Sequence, residues 1–112
     1  MGANAALPSV NPSELINGYQ AMFQHFSQVE TNQKLKAETE NKLAIMVDKV
    51  NGGQLNPVTM EKLHNISVLV QQGNGPAAKA ALQDITQKAW NDIKDFQGAI
   101  KVLVNFKQKY GL

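Results

Sequence analysis

Few of the 112 residues are of types that do chemistry, and their spacing limits what chemistry is open to them. Histidine occurs twice, as His25 and His64, and neither sits in an HExxH or other metal-ligand spacing. Both read as structural histidines. Glu38 and Glu40 are two apart, which on a helix turns them in different directions. Asp92 and Asp95 can share a helix face, where they read as charges favourable at a helix N-terminus rather than as an acid/base pair. The run Gly73-Asn74-Gly75-Pro76 has the glycines of a phosphate cradle, but it lacks the Gly-Lys-Ser/Thr ending and the preceding strand. A helix stop followed by a helix start accounts for all four residues. Asn65-Ile66-Ser67 matches the glycosylation triplet yet falls inside a predicted helix. With no cysteine in the chain, thiolate metal sites, thiol nucleophiles and disulfide frameworks are excluded. No catalytic, cofactor-binding or metal residue is assigned, and the chain reads as a non-enzyme with no cofactor.

What remains is surface chemistry. Eleven lysines and no arginine stand against nine acidic residues, for a net charge of +2. The missing guanidinium fork, the preferred reader of phosphates and guanine edges, disfavours nucleic-acid recognition. Lys94, Lys101, Lys107 and Lys109 make the C-terminal part of the chain basic. That charge suits a helix C-terminus and solubility, and the same residues are the candidate partner-binding set, open to an acidic partner or to lipid headgroups. Trp90, the one tryptophan, reads as a core plug at a helix junction, with a partner hot spot as the alternative. No apolar run approaches the roughly 20 residues that span a bilayer, and no secretory core follows Met1. The expectation is a soluble, cytoplasmic domain.

The elements that must position these groups follow from caps and apolar periods. Asn11-Pro12-Ser13-Glu14 combines an N-cap, proline in the first turn and a glutamate placed for a capping box. From there Leu15, Tyr19, Met22 and Phe26 recur at helical spacing, widened by Ile16 and Phe23. A second helix runs from Asn32 to Val50, with Leu35, Leu43, Met46, Val47 and Val50 on one side, and stops at Asn51-Gly52-Gly53. Asn56-Pro57 starts a third, whose stripe is Met60, Leu63, Ile66, Leu69 and Val70. Gly75-Pro76 starts a fourth with a small face of Ala77, Ala78, Ala81, Leu82 and Ile85. No glycine or proline lies between Pro76 and Gly98, so a break is placed near residues 87–91, with Asn91 and Asp92 as its candidate caps. The last helix then buries Ile93, Phe96, Ile100, Leu103, Val104 and Phe106. Gly98 inside it costs on the order of 1 kcal/mol relative to alanine, a sign of close packing. Residues 1–10 read as a flexible tail, its opening Met-Gly-Ala-Asn partly an expression remnant. Residues 11–112 form one domain, an all-α, compact antiparallel bundle of about five helices with Trp90, Phe96, Ile100, Leu103, Leu63 and Ile66 in its core.

The stretch Asn41-Lys42-Leu43-Ala44-Ile45-Met46-Val47-Asp48-Lys49-Val50, then Gly53-Gln54-Leu55-Asn56-Pro57 and Lys62-Leu63-His64-Asn65-Ile66, resembles the helical domain that closes the larger outer-cage subunit of the COPII vesicle coat. The steroid-receptor RNA activator protein is of the same family. An alanine-rich helix, Trp90, the series Phe96, Ile100, Lys101, Val102, Leu103, Val104 and the Lys-Tyr-Gly-Leu end extend the resemblance over Leu35 to Leu112. Phe96 and Ala99, where many members carry tryptophan and glycine, place the likeness nearer the coat branch. The resemblance implies a non-enzymatic interaction module at the end of a coat scaffold subunit. Its implied partners are other coat subunits: the outer-cage partner, neighbouring cage rods and the inner coat. The implied setting is ER-to-Golgi transport, peripheral at ER exit sites and on coated vesicles, with the membrane met only through the coat. The alternative is an activator-protein-like coregulator module binding protein or RNA.

Overall fold

A computed structural model describes residues 10–110, with side chains from 10 to 106. The expected tail 1–10 therefore lies outside the described residues except for Val10, which packs against the core. Among the described residues the fold is all α: α1 (Pro12–Val29), α2 (Gln33–Asn51), α3 (Pro57–Gln71), α4 (Gly75–Lys88), a single turn α5 (Trp90–Ile93) and α6 (Gln97–Tyr110).

Asparagine starts four of them. The side-chain oxygens of Asn11, Asn32, Asn56 and Asn74 accept from the backbone N–H of Ser13, Leu35, Val58 and Ala77, satisfying donors that a first turn leaves without partners. Glycine ends two. Gly53 and Gly73 take φ values of 66° and 79°, and the following N–H groups of Gln54 and Asn74 close back on the carbonyls of Lys49 and Leu69. Only a residue without a Cβ adopts this left-handed terminus at no steric cost.

α1 takes the central place because its apolar stripe is wide. It packs on α2, α3 and α6, while α6 packs on α1, α2 and α4, and the α3–α4 pair closes the other side. α2 thus leans on α1 and α6 rather than on the α3 that follows it. Leu15, Tyr19, Phe26, Met46, Leu63, Ile66, Ile85, Ile93, Phe96, Ile100, Leu103 and Val104 are fully buried. Phe106 closes the core edge-on to Phe26, with ring centroids 5.4 Å apart at 89°, a favourable aromatic geometry.

α1 and α3 approach closely along one seam. The Tyr19 hydroxyl donates to the Leu63 carbonyl at 2.7 Å in the interior, and burial pushes its pKa well above the usual phenol value. Beside Tyr19, a Cβ on Gly18 would collide with the Oγ of Ser67, one turn along α3 from Leu63. Ser67, the last residue of the glycosylation-like triplet, is itself buried and accepts from Gln71 at 2.9 Å. Gly98 differs. A Cβ there would meet only the end of the Lys42 side chain, at 2.8 Å, so the neighbour inferred from its presence is a flexible lysine rather than a backbone.

Two expectations are corrected at the α4–α5 junction. The break sits at Ala89, with φ −135° and ψ 34°, and no side chain caps α5, so neither Asn91 nor Asp92 serves as the cap. Trp90 is not a core residue either: it is 47% exposed. In α4 the inward positions are Ala78, Leu82 and Ile85, and after the break they resume at Ile93, Phe96, Ala99 and Ile100. Ala89 packs against the core between them, so the stripe keeps its three- and four-residue spacing through the break, and Trp90, the first residue of the new turn, falls off it on the outside of the corner. Ile93 and Phe96 fill the space beneath.

Candidate interaction surfaces

Two surfaces are built by these elements, one at the corner and one along a groove. At the corner, the first turn of α3 comes against the α4–α5 junction. The Thr59 hydroxyl, on a residue only 3% exposed, donates to Asp92 Oδ2 at 2.7 Å, which fixes the end of α3 to α5. Around this bond a depression of about 550 Å³ is lined by Val58, Lys62, Lys88 and Trp90 among others. Val58 is 53% exposed, so two large apolar side chains stand in solvent in the lining of a depression that also holds this part-buried polar tie.

At the rim of the corner two lysines share one carboxylate. Asp84 of α4 binds Lys88 at 2.8 Å and Lys62 of α3 at 2.9 Å. The hydrogen bonds from Lys88 and then Lys62 hold the Asp84 carboxyl below its ordinary pKa, and Asp84 in turn raises that of Lys88. All three groups keep substantial solvent contact, so the cluster orients side chains more than it stabilises the fold.

The second surface lies between α4 and α6. A groove of about 400 Å³ is lined on one side by Lys79, Gln83 and Gln87 and on the other by Gln97, Lys101 and Asn105. Gln97 reaches Thr86 at 3.5 Å across it, and the Thr86 hydroxyl donates to the Leu82 carbonyl at 2.7 Å. Of the four lysines singled out in the sequence, Lys101 lies in this groove and Lys94 is exposed outside its lining. Lys107 and Lys109 stand on the α6 backbone, with side chains outside the described residues. Lys101 is thus accompanied by Lys79, which sequence reasoning missed. The signal was there in the four-residue spacing of Lys79, Gln83 and Gln87, which leaves one face of α4 polar beside its alanine face. Val58 was legible too, since it falls out of phase with the stripe of α3.

The remaining candidates do not converge. His25 packs edge-on to Phe106, with ring centroids 5.4 Å apart, beside an apolar hollow formed with Met22, Val70 and Leu103. His64 Nδ1 is buried without a hydrogen-bond partner. Asp92 binds Thr59, whereas Asp95 lies 3.6 Å from Lys49, so the two carboxylates serve different partners. Among the described residues no three His, Cys, Asp or Glu side chains are grouped to hold a metal ion, and no helix is long and apolar enough to cross a membrane. Comparison with known protein families, curated proteins and solved structures finds no match to this chain.

Proposed function

We propose that this bundle is a non-enzymatic protein–protein interaction module, acting at the end of a COPII outer-coat scaffold subunit in ER-to-Golgi transport. The observation that carries the interaction reading is the exposure of Trp90 beside Val58. A tryptophan left in water forfeits much of the gain from burying so large a side chain, and tryptophan is the residue type most enriched among binding hot spots. The corner under it is held by the Thr59–Asp92 bond, so the surface is organised before any partner arrives and little ordering cost is added on binding. The choice of the coat as partner rests on the residue resemblance over Leu35 to Leu112. A tethered domain of this size contributes through effective concentration, adding weak contacts between subunits already linked elsewhere in a cage.

The test is capture of purified inner-coat and outer-coat subunits by this domain and by its Trp90→Ala and Val58→Ser variants. The expected result is binding by the parent domain that weakens by about tenfold or more in Trp90→Ala. Undiminished capture by both variants would remove the corner as the docking face, and absence of capture by the parent domain would remove the coat assignment.

A further inference from the structure

We infer that the groove between α4 and α6 binds an extended acidic segment of a partner protein. Lys79 and Lys101 lie on opposite walls of one groove that has no carboxylate in its lining. Neither lysine is in an ion pair among the described residues: the three pairs are Lys49–Asp95, Lys62–Asp84 and Lys88–Asp84. Asp84, the one acidic residue of α4, is held by Lys88 of the same helix and by Lys62 of α3, and it is not in the groove lining. The groove therefore carries uncompensated positive charge in a chain whose overall balance is only +2.

The neutral lining narrows the class of anion. Gln83, Gln87, Gln97 and Asn105 each present both an amide donor and a carbonyl acceptor, the complement of a peptide backbone that offers N–H and C=O groups in alternation. Leu82 contributes an apolar spot in the same lining, suited to one aliphatic side chain between acidic ones. Gln97 and Thr86, 3.5 Å apart, bridge the two helices within this lining. Nucleic acid fits less well. The groove contains no aromatic side chain on which a base could stack, and the chain has no arginine to fork onto phosphate.

The site is separate from the Trp90 corner and does not depend on the coat assignment. It is tested by fluorescence anisotropy with a labelled peptide of alternating Glu and Leu, a copy with Gln in place of Glu, and labelled oligouridine. The expected result is saturable binding of the Glu peptide that weakens with added salt and by about tenfold or more in the Lys79→Gln, Lys101→Gln double variant. The Gln copy and oligouridine bind no more than weakly, and Trp90→Ala leaves the Glu peptide's affinity unchanged. Both lysines are exposed, so the double variant keeps its fold, which its helical circular dichroism and melting curve verify. Side-chain amide resonances of Gln83, Gln97 and Asn105 shift on titration. Failure of the Glu peptide to saturate, binding indifferent to the double variant, or oligouridine bound as tightly as the peptide would each overturn the inference.

Discussion

The α1–α3 seam and the α3–α4–α5 corner use similar residue types in opposite ways. At the seam, a tyrosine is fully buried and its hydroxyl is satisfied by a carbonyl of the opposing helix. At the corner, a tryptophan is half outside, beside an exposed valine. The seam requires a glycine, because Ser67 Oγ occupies the place of any Cβ on Gly18, whereas Gly98 in α6 faces only a movable lysine. The helices of the seam begin with an asparagine cap and a proline, but α5 begins with neither. The difference teaches that the seam is shaped for packing, whereas the outer side of the junction after Lys88 is shaped as a surface above a core that α6 completes. The same contrast separates residues whose loss should unfold the domain from residues whose loss should disarm it.

The largest expected effect is at the seam. Leu63→Ala removes a fully buried side chain from a close-packed site and should cost about 3 kcal/mol of stability in urea unfolding, whereas Trp90→Ala should cost less than about 1 kcal/mol. Equal losses at the two positions would erase the distinction. Next come the glycines. Gly18→Ala should destabilise by about 2 kcal/mol, since helix and side chain must shift to admit the methyl group. Gly98→Ala should be neutral or should raise the melting temperature, because helix propensity favours alanine by up to about 1 kcal/mol and Lys42 can move aside.

Tyr19 supplies a pH-dependent test with a definite sign. Its phenol has a raised pKa in the folded state, so the unfolded chain releases that proton first as pH rises. Stability is complete below the ordinary phenol value of about 10 and falls above it. Tyr19→Phe should lose about 1 kcal/mol at neutral pH through the missing hydrogen bond and should show a weaker dependence on alkaline pH in guanidinium titrations. Asp84 gives the smallest effect and the opposite sign. Its folded pKa is lowered by Lys88 and Lys62, so its contribution is present above the ordinary carboxylate range and is lost as pH falls through the depressed value. In Asp84→Asn that acid-side slope should flatten while the neutral-pH melting temperature barely moves.

Much of this arrangement is legible in the chain. Asn11-Pro12, Asn56-Pro57 and the two glycine stops mark helix ends because cap chemistry is local, needing only a side chain and the N–H two or three positions on. The stripes Leu15–Tyr19–Met22–Phe26 and Leu63–Ile66–Val70 specify the buried faces for the same reason. Trp90 escapes a reading made on residue type alone: a large aromatic suits a core plug, yet it stands off the stripe Ile85–Ala89–Ile93, and Ile93 and Phe96 are buried beneath it. Thr39 and Thr59, buried at 1% and 3%, are hidden from an apolar count because their hydroxyls are satisfied by the Leu35 carbonyl and Asp92. The joining of Lys79 with Lys101 rather than with a run of C-terminal lysines is a matter of which helices become neighbours, and α4 meets α6 across a turn that no local motif records.

One measurement bears most directly on the claim that the corner exists for binding and the seam for folding. Trp90→Ala is purified, its unfolding free energy is taken from urea titration, and its capture of purified coat subunits is measured on the same preparation. The account predicts stability within about 1 kcal/mol of the parent domain together with capture reduced by about tenfold or more. A loss of several kcal/mol with capture unchanged would show that Trp90 serves the fold, and would contradict the division of the molecule described above.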